Sequence, residues 1–473
     1  MNLRNKILSI VLVLLLLVGG IGYLVWDNLF REVPVSYESP AEHFKYGSVG
    51  IEQAQGIPYW IWLVLPRLFP EYLPDAGGYA SLGMTWEPGE EMPIGFTKKR
   101  IGFPRVSFNC ATCHSTVMRE SADDPIPTIY PAGPANTFNL QGYINFLGAS
   151  ATDPRFTSGY ILNAISSVYE LSPVEKLLYR FAIIPQTRRV LIEQRENLSW
   201  IDDRPAWGGG RIDPLNPPKF SFLGLAQDGT IGTADMMSIW NRKMHQNMDI
   251  HWDGFTHSLT HSVISSAIND GATAETVDLE SLERVQDYIT QIDPPAYPFS
   301  INQALAEQGQ PIFENSCAEC HAFGGDRTGT VIPIGEINTD RHRLDMWTPE
   351  LVQAYRTYGD GYEWDFETFK KTNGYAALPL DGLWLRSPYL HNGSVPSVAD
   401  LLKPVDERPS VFYRAYEVYD PDTMSFVSNG AEAEKNGFRV DTNLPGNGNQ
   451  GHLYGIDLAA EEKAALIEYL KTL

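Results

Sequence analysis

The stretch Cys110-Ala111-Thr112-Cys113-His114 is repeated later in the chain as Cys317-Ala318-Glu319-Cys320-His321. These two copies of one Cys-x-x-Cys-His motif use all four cysteines of the 473-residue chain. In this motif the two thiols attach covalently to a haem, and the histidine that follows binds its iron. The repeat therefore predicts two covalently bound haem c groups, with the paired cysteines as attachment points and His114 and His321 as iron ligands.

Other uses of these cysteines fit the pattern less well. Thiolates and imidazole also bind zinc, so a zinc site or a structural protein is the rival interpretation. A thioredoxin-like redox pair does not need a histidine directly after its second cysteine. Disulfides are permitted in exported proteins, but the repeated spacing argues against them.

The N-terminus reads as a membrane-targeting segment. Arg4 and Lys6 precede an unbroken apolar run over residues 7–26, and about 20 apolar residues span a bilayer. The run lacks an Ala-x-Ala-like cleavage site, so we expect residues 1–30 to stay as a transmembrane anchor, the alternative being a removed signal peptide. Positive residues before the run place the body outside the cytoplasm. The expected location is the bacterial inner membrane with the body in the periplasm.

The chain is strongly acidic, with a formal net charge of −22. This charge excludes nucleic acid as a plausible partner. It favours steering of a basic electron carrier, such as a small periplasmic cytochrome c or cupredoxin, although solubility alone also accounts for it.

The second half, residues 296–473, is patterned like a small cytochrome c domain. Ser300 and Gln303 form a capping-box pattern that predicts a helix before the second motif. Pro311 is expected to bend or end that helix. Asp457 is the expected N-cap of a closing helix that runs to the C-terminus.

The first half, residues 31–295, repeats this plan more loosely. The apolar spacing over residues 278–292 predicts its closing helix. The proline-rich segment 293–298 then interrupts regular structure and is the expected boundary between two cytochrome c-like domains. Trp252 and His391 occupy corresponding positions between the haem motif and the closing helix of each half.

The segment Asp381 to Pro396, which reads DGLWLRSPYLHNGSVP, resembles the bacterial dihaem cytochrome c peroxidase superfamily, and it is most similar to the dihaem rubber oxygenase-like cytochromes. Further similar stretches are 109–114, 207–216, 250–254 and 444–447. The resemblance runs from about residue 56 to the C-terminus. It implies a mainly helical fold with two cytochrome c-like domains and a haem–haem interface, here preceded by the transmembrane helix.

The resemblance also implies a second ligand for the second iron. In the rubber oxygenases the matching histidine of the His-Asn-Gly-Ser segment fills this position, which predicts His391. The alternative places His391 beside the haem interface, as in the peroxidases, where a methionine about a dozen residues on binds the iron. No methionine occurs between His391 and Met424.

The first iron has no comparable partner nearby, because no histidine occurs between His114 and His245. An open position on this iron is therefore expected, as in the rubber oxygenases, and open iron binds peroxide or dioxygen. The alternative is a ligand from a later cluster, made up of Met244, His245, Met248, His251, His257 and His261.

Three residues are candidates for catalysis on the basis of the superfamily pattern. Trp252 matches a tryptophan between the haems, and either electron transfer or packing accounts for it. His257 and His261 are four residues apart and would share a face of a helix. They are candidate proton shuttles, the alternatives being exposed helix residues or iron ligands.

Two further sites are implied less directly. Arg211 is a candidate partner of a haem propionate, or a solvated side chain. Pro388 lies where the peroxidases offer a carbonyl to a calcium ion between the haems. Calcium is therefore a candidate additional cofactor, although Arg386 replaces the threonine usual at this place.

The expected function is that of a haem-dependent oxidoreductase of the dihaem peroxidase or oxygenase type. The first haem would react with peroxide or dioxygen, and the second would transfer electrons. The alternative is an electron-transfer cytochrome with both irons fully coordinated and no substrate chemistry of its own.

Overall fold

A computed structural model describes residues 3–473, which are 44% helical and 11% strand. Helix thus predominates over strand, as expected from the sequence. The helices are α1 Leu3–Leu29, α2 Pro40–Tyr46, α3 Glu52–Gln55, α4 Tyr59–Leu68, α5 Cys110–Cys113, α6 Leu140–Thr152, α7 Ser158–Ile165, α8 Pro173–Leu178, α9 Ile184–Asn197, α10 Asn216–Phe220, α11 Leu259–Asn269, α12 Leu279–Gln291, α13 Gln303–Ser316, α14 Ala318–His321, α15 Ile334–Ile337, α16 His342–Met346, α17 Pro349–Gly359, α18 Val398–Leu401, α19 Gly430–Asn436 and α20 Ala460–Leu470. The strands are β1 Glu32–Val33, β2 Ile57–Pro58, β3 Phe96–Ile101, β4 Phe103–Phe108, β5 Ser115–Met118, β6 Thr128–Pro131, β7 Arg211–Ile212, β8 Ala234–Asp235, β9 Val331–Pro333, β10 Gly374–Ala376, β11 Val411–Arg414, β12 Tyr419–Asp420, β13 Ser425–Phe426 and β14 Phe438–Asp441.

Helix α1 is the one helix among residues 3–473 that is long and apolar enough to cross a membrane. Its 27 residues give a length of roughly 40 Å, which exceeds the roughly 30 Å of a bilayer core. Just after the helix, Arg31 pairs with Asp27 at 2.9 Å. Strand β1 then pairs with β3, so the end of this helix is attached to the body through a sheet.

The first half is built on a four-stranded sheet with the order β1-β3-β4-β2. Strands β3 and β4 form an antiparallel hairpin in which Phe96 lies opposite Phe108. Beneath the sheet, Trp62 stacks on Tyr79 with ring centroids 4.4 Å apart, within a core of buried aromatic side chains. Strand β4 leads directly into the first haem motif, so the sheet positions that motif.

The second half is closed by two helices that cross, α13 and α20. A Cβ on Gly309 of α13 would overlap the backbone of Ala465 in α20, so only glycine permits this approach. Phe313 packs on Tyr469 with ring centroids 5.3 Å apart. The second haem motif begins where α13 ends.

The structure confirms some expected helix ends and corrects others. Helix α12 lies within the predicted span 278–292, and Asp278 caps it, because its carboxylate accepts from the backbone N–H of Ser281 at 3.0 Å. Helix α13, however, is capped by Asn302 and continues through Pro311 to its end. A proline removes one backbone hydrogen bond, and the packing of α13 against α20 compensates for it. Helix α20 begins after Ala459, later than predicted.

The halves are connected by residues 293–302, which contain no helix or strand. Side chains nevertheless bridge the halves. The Trp384 indole N–H donates to the Pro295 carbonyl at 2.7 Å, and the Trp240 indole N–H donates to the Asp381 carbonyl at 3.2 Å. The two halves therefore pack closely, and their division into two cytochrome c-like domains stays a prediction.

Candidate haem sites

The first motif is held by the turn between β4 and β5. Asn109 caps the short helix α5, since its side-chain oxygen accepts from the Ala111 N–H at 3.0 Å. Its amide also donates to the Gly47 carbonyl at 2.8 Å. Gly95 has a φ of +83°, and a Cβ there would overlap the backbone of Thr112 inside the motif. Close packing by small and polar residues thus fixes where the two thiols lie.

Cys110, Cys113 and His114 line one cavity. The Nδ1 of His114 lies 2.8 Å from the Met237 carbonyl, which leaves Nε2 as the nitrogen with a free lone pair. Burial lowers the pKa of His114 to about 4. A neutral, oriented imidazole is what an iron ligand requires, so these three residues fit a covalently attached haem.

The second motif has the same local design. Cys317 and His321 line a second cavity, and Cys320 lies on an adjoining one. The His321 Nδ1 lies 2.8 Å from the Leu378 carbonyl, as in the first motif. Burial lowers the pKa of His321 as well. The duplicated sequence thus forms two histidine sites with one hydrogen-bonding arrangement.

His452 faces His321 across the second site, with ring centroids 6.2 Å apart. Two imidazoles that share one metal at about 2 Å per metal–nitrogen bond have ring centroids roughly 6 Å apart. The backbone holds His452 there, because its N–H donates to the Ile337 carbonyl at 2.8 Å. Burial lowers its pKa to about 4. His321 and His452 would therefore both be placed to hold the iron of a haem bound at this site, and no sequence pattern indicated His452.

His391 lines the second cavity but is engaged elsewhere. Its ring stacks on Tyr375 with centroids 4.0 Å apart, and its Nε2 lies 3.0 Å from the Tyr375 hydroxyl. Its carbonyl accepts from the Asp235 N–H at 2.8 Å. This arrangement favours a position beside the haem over the ligand position expected from the sequence, because the nitrogen that would bind iron has a protein partner.

Trp252 lines both cavities, and so do Asp235, Met236, Met237 and Arg242. The Trp252 indole N–H donates to the Asp235 carbonyl at 2.7 Å. The two candidate haem sites are therefore adjacent, and Trp252 lies on their shared wall. This placement agrees with the position expected for it between two haems, while its role in electron transfer stays a prediction.

The expected shared helical face of His257 and His261 is wrong. Ser258 caps α11 by accepting from the His261 N–H at 3.2 Å, so His257 precedes the helix and is exposed. The Nδ1 of His261 lies 2.9 Å from the Thr368 hydroxyl. Neither histidine is among the residues that line the first cavity.

His251 and Asp270 also line the first cavity, as do Asp235, Arg242 and Arg343. The Nε2 of His251 lies 2.7 Å from the Ser262 hydroxyl, and its ring stacks on Phe255 at 4.2 Å. Burial raises the pKa of Asp270 to about 7. The sequence could have indicated a place for His251 at this site, because His251 directly precedes Trp252. No sequence pattern indicated Asp270.

Arg211 is completely buried, so the solvated alternative is wrong. Its guanidinium donates to the carbonyls of Trp207 at 2.7 Å and Ala206 at 3.2 Å. It also donates to the Asn447 side chain at 2.8 Å and the Asn392 carbonyl at 3.3 Å. Arg211 thus joins the two halves and is not among the residues lining either cavity, while a propionate contact stays a prediction.

The described part of the chain offers zinc no clustered His, Cys, Asp or Glu ligands, while calcium stays a prediction. Among residues 3–473, no three His, Cys, Asp or Glu side chains converge as a metal site would require. The Arg386 guanidinium donates to the Pro379 carbonyl at 2.9 Å and the Asp381 carboxylate at 2.8 Å. The positive charge of Arg386 therefore lies in the region where the resemblance places a calcium ion.

Comparison with known proteins identifies a cytochrome signature at the second site. A protein-family model described as RoxA-like, cytochrome c-like matches residues 374–413, a range that contains Tyr375, Leu378 and His391. Two similar curated proteins are the uncharacterized proteins y4iJ and y4iM of Sinorhizobium fredii. The first is 46% identical over 108 residues, which cover 21% of this chain and 18% of that protein. The second is 29% identical over 222 residues, which cover 41% of this chain and 49% of that protein. The chain thus spans less than half the length of these relatives. The family match supports a relationship to the rubber oxygenase-like cytochromes, and with it covalently bound haem c in this chain.

Proposed function

We propose that the chain is a membrane-anchored dihaem c-type cytochrome whose body lies in the periplasm. We further propose that it is an oxidoreductase in which the first haem reacts with peroxide or dioxygen and the second transfers electrons. The observation that supports this assignment is a difference between the two histidine sites.

At the second site, His452 faces His321 at the distance expected for two ligands of one iron. At the first site, the histidines among the cavity-lining residues are His114 and His251. His251 is engaged by the Ser262 hydroxyl at 2.7 Å, which leaves it without a free Nε2. A filled site favours electron transfer, and an open one favours binding of a small oxidant.

The haem would supply an iron that binds the oxidant and exchanges electrons with it. The chain's own groups attach and orient that haem. Cys110 and Cys113 hold it covalently, and the Met237 carbonyl fixes which nitrogen of His114 faces the cavity. The apolar wall around the site, which includes Phe255, excludes water from the reacting groups.

Asp270 is the group best suited to handle protons in the first cavity. Burial brings the pKa of its carboxyl to about 7, and a general acid or base works best when its pKa is near the working pH. The carboxyl makes no hydrogen bond to another side chain among residues 3–473. In this proposal Asp270 takes the role first predicted for His257 and His261.

Electrons would enter from outside and pass between the sites. Trp252 lines both cavities, so we assign it the transfer between the two irons. The net charge of −22 would steer a basic periplasmic carrier, of the cytochrome c or cupredoxin type, toward the body.

Low-temperature EPR of the oxidised, haem-loaded chain tests this proposal. We expect one high-spin and one low-spin haem, and cyanide should convert only the high-spin signal. His114→Ala should abolish turnover with any substrate that is found, because it removes the ligand of the reactive haem. Two low-spin haems that ignore cyanide in both redox states would contradict the enzyme assignment and support the alternative, an electron-transfer cytochrome.

A further inference from the structure

An exposed apolar patch lies on the segment that runs from α7 through α8 to the π-helical turn Tyr179–Ile183. Leu177 is 61% exposed and Phe181 is 70% exposed. The patch consists of Tyr160, Val168, Tyr169, Val174, Leu177 and Phe181. Large apolar side chains gathered at a surface mark a site of contact with a partner or a membrane.

Local contacts hold the residues of the patch in place. Tyr169 stacks on Trp60 with ring centroids 3.9 Å apart. Helix α8 starts with a reciprocal capping box, in which Ser172 and Glu175 each accept from the other's backbone N–H. Beneath the exposed side chains, Tyr179 is buried. The backbone therefore presents these apolar groups outward in a defined arrangement.

The patch lies beside the end of α1. The Gly102 N–H donates to the Arg31 carbonyl at 2.8 Å, and a Cβ on Gly102 would overlap the backbone of Leu29. The next residue, Phe103, packs on Tyr179 with ring centroids 6.2 Å apart. Tyr179 lies in sequence between Leu177 and Phe181 of the patch. A short series of direct contacts thus connects the membrane end of α1 to the patch.

The local charge also differs from that of the whole chain. Residues 158–189 contain four basic residues, Lys176, Arg180, Arg188 and Arg189, and two acidic residues, Glu170 and Glu175. Four positive charges minus two negative charges leave +2, while the whole chain carries −22. Basic residues around an exposed apolar face are typical of surfaces that lie in the interface of an anionic bilayer.

We propose that Val174, Leu177 and Phe181 enter the outer interface of the bilayer that α1 crosses, with Lys176 and Arg180 at the lipid phosphates. The inference rests on the proposed anchoring by α1 and adds a second point of contact. A helix alone leaves the body free to rotate about its attachment, and two contacts fix which face of the body looks away from the membrane.

Spin labels on the full-length, haem-loaded chain test this contact. All four native cysteines lie in haem motifs, so a single added cysteine can be labelled. The labelled variants are Leu177→Cys and Phe181→Cys, with Ile126→Cys as the matched control. Ile126 is 60% exposed and lies between β5 and β6, outside the patch. Leu15→Cys reports on α1 itself.

The protein is placed in vesicles of phosphatidylcholine and phosphatidylglycerol. The accessibility of each label to oxygen, which concentrates in lipid, is then divided by its accessibility to a nickel chelate, which stays in water. We expect this ratio to be several-fold higher at 177 and 181 than at 126. Ratios at 177 and 181 equal to that at 126, with a high ratio at 15, overturn the patch contact alone. A low ratio at 15 as well overturns the anchoring on which it rests.

Discussion

Replacing His452 with alanine should remove the low-spin EPR signal of the oxidised protein. The basis is the 6.2 Å separation of the His452 and His321 ring centroids, which matches two imidazoles on one iron. Loss of one of these ligands leaves a five-coordinate haem, and a five-coordinate haem is high-spin. Since the first haem is expected to be high-spin already, the low-spin signal should disappear completely.

His391→Ala is the matched comparison, because His391 lines the same cavity as His452 and is buried. Its Nε2 is engaged by the Tyr375 hydroxyl at 3.0 Å, so the low-spin signal should survive. The variant should instead lose about 1–3 kcal/mol of folding stability, the usual cost of disrupting a buried hydrogen bond. Urea denaturation followed by circular dichroism measures this change.

Tyr375→Phe controls for the hydrogen bond itself. It removes the hydroxyl near His391 and the bond that this hydroxyl donates to the Asp340 carbonyl at 2.7 Å. The spin state should not change. The assignment of His452 is refuted if His391→Ala abolishes the low-spin signal while His452→Ala retains it, and the ligand expected from the sequence would then be restored.

Three further outcomes are expected. The intact mass of protein matured with haem-attachment machinery should exceed that of the apoprotein by two haems, and a mass with one haem would contradict the duplicated motif. Gly95→Ala should lower the free energy of unfolding, measured by urea denaturation, by at least about 2 kcal/mol more than Gly89→Ala does, and it should lower the haem content. Both glycines have positive φ, but only a Cβ at Gly95 meets the backbone of Thr112. In the wild type, burial raises the folded-state pKa of Asp270 to about 7, whereas an unfolded aspartate titrates near 3.9. Folding thus favours the protonated form of Asp270, so the free energy of unfolding should fall as pH rises from about 4 to about 7. Asp270→Asn should flatten this part of the curve of unfolding free energy against pH. Equal slopes for the variant and the wild type would mean that the carboxyl lies in water.

Several features could be predicted from the sequence because they depend on neighbouring residues. The haem attachment motifs are five consecutive residues whose chemistry is covalent. Helix α12 has a local apolar period, which predicts the helix, and the structure adds a local cap at Asp278. The apolar run in α1 is likewise long enough to be read without any tertiary contact.

Predictions from local sequence patterns were wrong where tertiary packing or a competing capping residue decided the local structure. Ser258 caps α11 and leaves His257 outside the helix, although the spacing from His261 suggested one face. Helix α13 continues through Pro311 because it lies against α20. Arg211 is buried among backbone carbonyls and the Asn447 side chain. The glycine-rich sequence before it gave no indication of this burial.

The sequence by itself indicates covalent haem attachment, and it predicts His114 and His321 as the iron ligands of the two motifs. The tertiary structure decided which histidine faces His321. His391 lies within a turn and His452 lies in a segment without helix or strand, and no spacing rule distinguishes them as ligands. His452 reaches the site because Ile337 binds its backbone N–H at 2.8 Å, while Tyr375 holds the His391 ring. These contacts join residues far apart in the chain, so only the folded structure brings His452 next to His321.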